Sequence, residues 1–262
     1  MGADDAVPVS LRAHAKLTRS LRITGIRPDG YHLIDAEMVS LDLHDVLVID
    51  PTRRGLAATG AYSSGMPLDD SNLVTRALRL AGRPAHVTID KRIPHGGGLG
   101  GGSTDAATAL RWAGFATTAD DLAAAARLGA DIPFCLVGGR ARVTGIGEIV
   151  EPLPHLDIVV TLVIPPLAVS TPVAYRAWDN LGGPTSSGRN DLEAAALVVE
   201  PRLVRWRDLI TEHIGTAPTL AGSGATWFAE GEHGDALAEL VDEGATVVVA
   251  RTVPVDIASW RG

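Results

Sequence analysis

A chain of 262 residues with 46% hydrophobic content is long enough to divide its core between two lobes. Its 23 Lys and Arg against 31 Asp and Glu leave a formal charge of −8, which disfavours a nonspecific grip on nucleic acid and obliges any anionic ligand to find a local basic patch. The single cysteine, Cys135, excludes an intrachain disulfide and a cysteine-cluster metal site; no apolar signal region opens the chain and the apolar run 158–164 is too short to span a bilayer, so a cytoplasmic protein without membrane or nucleic-acid partners is expected.

In chain order, beta-branched and alternating segments predict strands at 21–24, 38–43, 46–49 and 85–89, so the first third should be mostly antiparallel sheet. Arg27-Pro28-Asp29-Gly30 supplies the turn between the first two. A helix is expected over 71–80, capped by Asp70 or Ser71, with Leu73, Ala77 and Leu80 on one face. The strand ending at Ile89 runs through Lys91-Arg92-Ile93-Pro94 into a glycine-rich loop, and a helical period resumes over 103–113. A second helix over 119–128 is stopped by Gly129-Ala130-Asp131-Ile132-Pro133, which delivers Asp131 into a connection. Gly138-Gly139 leads into a strand at 140–144.

The apolar strand 158–164, closed by Pro165-Pro166, opens the second lobe, and the boundary falls between 1–154 and 155–262. Thr171 is placed to cap a short helix with Pro172 at its first position. Glycine, proline and serine over 180–189 predict a mobile surface loop. Helices near 191–199, 201–214 and 234–241 and strands near 225–229 and 246–253 complete the chain.

The loop His95-Gly96-Gly97-Gly98-Leu99-Gly100-Gly101-Gly102-Ser103-Thr104-Asp105 carries six glycines in the seven positions 96–102. Glycine permits the turns that bring main-chain amides close to a ligand, and the start of the following helix adds unpaired amides and a positive dipole end, so a polyphosphate fits here. Gly96-x-Gly98-x-x-Gly101 also matches the dinucleotide fingerprint, but an antiparallel region precedes it where that fingerprint needs a βαβ unit, and no Gly-Lys-Ser/Thr closes a Walker loop. A flexible linker is the remaining plain reading, which leaves the flanking strand and helix unexplained. Ser103 or Thr104 could cap the helix or contact phosphate, and Ser103 or Asp105 could lie near a magnesium ion, expected with ATP because it neutralises phosphate charge.

Separated segments then coincide with one family. Ala15-Lys16-Leu17, Arg27 to His32, Ile93 to Ala107, Leu128 to Pro133, Asn190-Asp191-Leu192-Glu193 and Leu220-Ala221-Gly222-Ser223-Gly224-Ala225 together resemble the GHMP kinases, in an order spanning nearly the whole chain. The Asp-Gly-Tyr-His and Gly-Ala-Asp-Ile-Pro segments resemble most closely the branch that phosphorylates 4-diphosphocytidyl-2-C-methyl-D-erythritol in non-mevalonate isoprenoid synthesis. The resemblance implies an α+β, two-lobed fold with an N-terminal lobe like ribosomal protein S5 domain 2 and a C-terminal ferredoxin-like lobe. It also implies an ATP-dependent kinase acting with Mg2+ on a small cytidyl substrate, as a monomer or weak homodimer.

Residue by residue, it implies ATP contacts along Pro94, Gly96, Gly97, Gly98, Leu99, Gly100, Gly101, Gly102, Ser103 and Thr104, and a catalytic pair Lys16 and Asp131. A carboxylate of ordinary pKa, about 4, cannot strip an alkanol beforehand, so it would orient the hydroxyl and take its proton as attack develops. From the residues alone, Lys16 reads more readily as a lysine with its tip in solvent and Asp131 as a turn or cap residue, and it is the resemblance that reverses both readings. Thr18, Tyr31, His32, Tyr175, Asp191, Gly222 and Ser223 are the implied substrate contacts, with Tyr175 stacking on the base and His32 bonding its edge. Tyr175 also reads as a core tyrosine, Asp191 as a helix cap and Gly222-Ser223-Gly224 as a plain turn. Thr18 stands where that branch usually has asparagine, and Arg19-Ser20 replaces a more apolar continuation. A mevalonate- or sugar-type GHMP kinase and a catalytically silent ATP-binding regulator are the rival readings.

Overall fold

In the computed structural model, which describes residues 7–255, the chain opens with two long antiparallel strands, β1 (Val9–Ile26) and β2 (His32–Asp50). Gly30, at φ 86°, closes the turn between them, and its amide donates to the Arg27 carbonyl at 2.9 Å. The short strands expected at 21–24, 38–43 and 46–49 are parts of these two. Charged residues within them are paired with neighbouring strands of the sheet: Arg19 with Glu37, and Asp35 with Arg142 at 2.8 Å. Three register shifts, between His14 and Lys16, Thr18 and Ser20, and Ile23 and Gly25, bend the ribbon.

With β1 occupying one edge of β2, the other edge takes β4 (His86–Asp90) near one end and β5 (Arg140–Gly145) near the other. β3 (Gly55–Thr59) pairs parallel to β4, the one parallel pair of an otherwise antiparallel sheet, and β6 (Ile149–Leu153) lies beyond β5. Neither outer strand was expected; Pro152 in β6 is tolerated because that strand has a free edge.

Four helices cover the sheet: α1 (Leu73–Leu80), α2 (Gly101–Trp112), α3 (Ala119–Ala126) and α4 (Ile132–Val137). The cap of α1 is Asn72, whose side chain accepts from the Val74 amide at 2.8 Å, and the buried face is Val74, Ala77 and Leu78, not the Leu73 to Leu80 row. Alanines 106, 107 and 109 let α2 lie close to the sheet, where Leu110 and Phe134 meet Met38 and Val143. Each large side chain so buried contributes roughly 1.5–3 kcal/mol.

The second half forms a four-stranded antiparallel sheet in the order β10-β7-β9-β8, from β7 (Val159–Ile164), β8 (Thr219–Leu220), β9 (Trp227–Glu230) and β10 (Thr246–Arg251). Helices α5 (Thr171–Asn180), α6 (Glu193–Val199) and α7 (Leu203–Ile214) belong to this half, and Leu203, Trp206 and Ile210 of α7 pack with Trp227. The helix expected at 234–241 is a single 3-10 turn, Ala238–Val241. The two sheets share a core in which Leu17 and Leu41 meet Leu162, Phe228 and Ala250. This joint carries the free edge of β1 against the second half of the chain.

Candidate active site

The free edge of β1 organises the site. The Lys16 amide donates to the Leu99 carbonyl at 3.0 Å, and the Leu21 amide donates to Arg189 at 2.9 Å. One edge thus holds both the glycine loop and the segment entering α6. Register shifts on both sides of the Lys16–Thr18 stretch re-aim its side chains. The Lys16 ammonium lies 3.2 Å from the Asp131 carboxylate and donates to the Thr18 hydroxyl at 3.2 Å. Asp131 is not in a loose connection: it occupies the N-cap position of α4, makes no capping bond, and so keeps its carboxylate for Lys16. Its side chain is 33% exposed against 6% for Lys16, leaving an acceptor oxygen accessible beside a buried cation.

The glycine loop is shaped by close contacts as well as by left-handed turns. Gly96, Gly98 and Gly100 have φ between 72° and 73°. A methyl group at Gly98 would stand 2.9 Å from the Gly224 carbonyl oxygen, and one at Gly100 would stand 2.6 Å from Lys16 Cγ. Gly97 is pressed on Thr226, Pro94 is buried, and the Leu99 side chain is part of the shared core. Helix α2 starts at Gly101, two residues earlier than expected, with Gly100 at its N-cap and no side-chain cap. The first-turn amides of Gly101, Gly102 and Ser103 are therefore free of a capping side chain, a donor set that fits the phosphates of ATP.

The hydroxyls and the carboxylate after the loop separate. Ser103 lines the cavity described below, with no hydrogen-bond partner for its hydroxyl among the described residues. Thr104 is buried and donates to the His14 carbonyl at 2.7 Å, so it neither caps α2 nor faces a ligand. Asp105 is buried and turned onto Lys91 at 2.7 Å. Lys91 also holds Asp45, whose other oxygen accepts the amides of Arg92 at 2.5 Å and Ile93 at 2.8 Å. This buried cluster ties the strand entering the loop to the helix leaving it. Burial raises the Asp105 carboxyl to about 7, against the opposing pull of Lys91.

A cavity of 1040 Å³ opens between the halves, lined by Lys16, Thr18, Tyr31, His32, Gly98, Ser103, Asp131, Tyr175, Gly222 and Ser223. At one end the His32 ring lies 4.6 Å from that of Tyr175 and edge-on to Trp178 at 5.6 Å, and its Nε2 is 2.8 Å from Asp179. Burial, and then the charge of Asp131, pushes the Tyr175 hydroxyl above its ordinary range. Tyr31 is 60% exposed and stands at the rim. Gly222 and Ser223 also line it: Asn190 donates to the Gly222 carbonyl at 2.7 Å, and the Ser223 and Thr171 hydroxyls lie 2.8 Å apart. Thr171 is therefore inside α5 and bonded to Ser223, and Ser170 takes the N-cap position.

Asp191 does not line the cavity. It is 2% exposed and accepts from the amides of Ile23 at 2.9 Å and Ser186 at 2.8 Å while pairing with Arg22. It fastens the 180–189 loop to β1, and the guanidinium of Arg22 also takes the carbonyls of Ser186 and Gly188. Asp179 and Thr171 were missed by sequence reading; the i, i+4 spacing from Tyr175 to Asp179 on one helix face was the available signal. Among the described residues no group of three or more His, Cys, Asp or Glu could hold a metal ion, and no helix is long and apolar enough to cross a membrane.

Residues 72–139 match the family described as GHMP kinases N terminal domain. The chain is 40% identical over 235 residues to the 4-diphosphocytidyl-2-C-methyl-D-erythritol kinase of Paracoccus denitrificans, covering 82% of this chain and 84% of the relative. Its fold superposes with a TM-score of 0.73 and 31% identity on a crystal structure of 4-(cytidine 5'-diphospho)-2C-methyl-D-erythritol kinase, covering 93% and 99% of the two chains. A homoserine kinase from Cytophaga hutchinsonii, at 18% identity and a TM-score of 0.64 over 97% and 96%, shares the fold.

Proposed function

The chain belongs to the 4-diphosphocytidyl-2-C-methyl-D-erythritol kinase family of the GHMP kinases, and from that premise we propose how its own residues carry the terminal phosphoryl group of ATP to the 2-hydroxyl of that acceptor. The observation that carries the reading is the Lys16–Asp131 pair, 3.2 Å apart on the wall of a cavity that also reaches the glycine loop and the His32–Tyr175 rings.

The amides at the start of α2 receive the ATP phosphates, and the Ser103 hydroxyl is placed to add one more bond. Magnesium arriving with ATP would neutralise charge on the phosphates, and among this chain's residues the Ser103 hydroxyl would be the nearest candidate to it. Asp131 orients the acceptor hydroxyl and takes its proton as the O–P bond forms, while the phosphoryl group leaves ADP. The ammonium of Lys16 holds the Asp131 carboxylate in place and offsets charge spreading onto the phosphoryl oxygens. His32, fixed by Asp179, and Tyr175 bind the cytosine, with Tyr31 closing the rim and Thr18, Gly222 and Ser223 bounding the sugar alcohol.

The division 1–154 and 155–262 into an ATP-binding and a substrate-contributing lobe follows the two sheets and belongs to the same proposal. So do a cytoplasmic location and a monomeric or weakly dimeric state, which fractionation and sedimentation check. The deciding assay compares 4-diphosphocytidyl-2-C-methyl-D-erythritol with mevalonate, phosphomevalonate and galactose, with ATP and magnesium. Turnover of the cytidyl compound alone is expected. Turnover of mevalonate or galactose in its place would reassign the acceptor, and ATP binding without any turnover would favour a silent regulator.

A further inference from the structure

Two arginines on the cavity wall have no partner among the described residues. Arg127 caps the C-terminal end of α3, four residues before Asp131, and Arg176 follows Tyr175 on α5. Both are exposed and both line the cavity. Among the described residues neither guanidinium has an ion pair or a hydrogen bond.

The other charges of the wall are engaged. Arg27 holds Asp29 at 2.7 Å, His32 holds Asp179 at 2.8 Å, and Glu148 accepts the Ile146 amide at 2.6 Å. Lys16 is committed to Asp131. In a chain of net charge −8, any anionic ligand needs a local cationic patch, and these two forks are the unclaimed donors the cavity offers.

Their positions say which part of a ligand they meet. The acceptor is a base, a ribose, a diphosphate and a sugar alcohol in that order, so its diphosphate lies between the ring-binding end and the reacting hydroxyl. In the chain Arg176 directly follows Tyr175 of the ring cluster and Arg127 precedes Asp131 by four residues, and both line the cavity between those two groups' elements. A planar guanidinium matches phosphate oxygens two at a time. We infer that Arg127 and Arg176 clamp the diphosphate of the acceptor from the two walls of the cavity and so select a nucleoside-diphosphate-linked alcohol over a bare one. The inference rests on the acceptor reading given above.

The test measures binding of CDP and of cytidine by calorimetry to the wild-type protein, Arg127→Gln, Arg176→Gln and the double variant, with steady-state KM for ATP alongside. CDP should bind the wild type at least about tenfold more tightly than cytidine, as charge-assisted bonds to two guanidiniums require. Each single substitution should remove about three- to tenfold of that advantage, and the double variant should erase it, with cytidine affinity, melting temperature and KM for ATP unchanged. An unchanged CDP-to-cytidine ratio in the variants overturns the clamp alone. So does a raised KM for ATP with that ratio intact, which would move the arginines to the donor's phosphates. If the wild type binds neither CDP nor cytidine, the acceptor reading falls, and the clamp falls with it.

Discussion

Lys16 and Asp131 meet at 3.2 Å although one sits on a bent edge strand and the other at the start of a six-residue helix. The pair is asymmetric, with a buried ammonium and a partly open carboxylate, which is the arrangement a hydroxyl-orienting base needs. Asp131→Asn should therefore lower kcat by about 10²- to 10⁴-fold, the usual worth of a positioned base, while leaving KM for ATP nearly unchanged. Single-turnover kinetics separate the chemical step from binding, and an unaltered chemical rate would remove Asp131 from its role.

Gly100 is crowded where Gly82 is not. Both have positive φ, 72° and 64°, but a methyl at Gly100 would press on Lys16 Cγ at 2.6 Å and one at Gly82 would meet nothing within 4 Å. Gly82→Ala should cost only the left-handed strain, about 1 kcal/mol of stability, with activity retained. Gly100→Ala should cost more and should also lower kcat by displacing Lys16. Equal melting temperatures and equal kcat for the two variants would show that the approach of Lys16 to the loop is not needed.

The ring cluster makes a separate prediction about the acceptor. Replacing Tyr175 by Leu keeps an apolar side chain in α5 and removes the stacking face beside His32. KM for the cytidyl acceptor should rise by about 5- to 150-fold, the equivalent of roughly 1–3 kcal/mol for one stacked base, while KM for ATP stays put. A parallel rise in both constants would point to general damage at the joint between the sheets.

What the sequence made legible was local or carried by resemblance. The strand, glycine loop and Ala-rich helix were readable because turn chemistry and period changed sharply within a few residues. The full lengths of β1 and β2 were not, because Arg19, Asp35 and Glu37 look like breaks until their partners on neighbouring strands are known. Helix α4 hid for the opposite reason: Ile132 to Leu136 are buried throughout, so the segment has no polar face to reveal a period. Lys16 and Asp131 were assigned by family resemblance, since no spacing rule joins them. The partners of Thr104, Asp105 and Asp191 were not legible, because each side chain is bound to structure at a distance in sequence: His14, Lys91 and Arg22 respectively.

The cluster under the loop leads to a pH prediction. Lys91 is shared by two buried carboxylates, Asp45 and Asp105, and one Asp105 oxygen has no partner. One positive charge against two negative ones is an unfavourable balance in a buried site, and burial accordingly raises Asp105 to about 7 from an ordinary 3.8. A carboxyl whose pKa is higher folded than unfolded stabilises the fold below the unfolded value and loses that contribution as pH rises through the folded one. The loss should fall between about pH 4 and pH 7 and reach at most about 4 kcal/mol. Asp105→Asn, which reproduces the uncharged acid and still accepts from Lys91, should remove the dependence. His14, whose imidazole is lowered by burial, pulls stability the opposite way over part of this range and is present in both proteins, so the difference between them isolates Asp105. Thermal melting from pH 4.5 to 8 should show the wild type falling progressively below the Asn variant. Parallel curves would mean that Asp105 is already ionised across the range and that Lys91 alone balances both carboxylates.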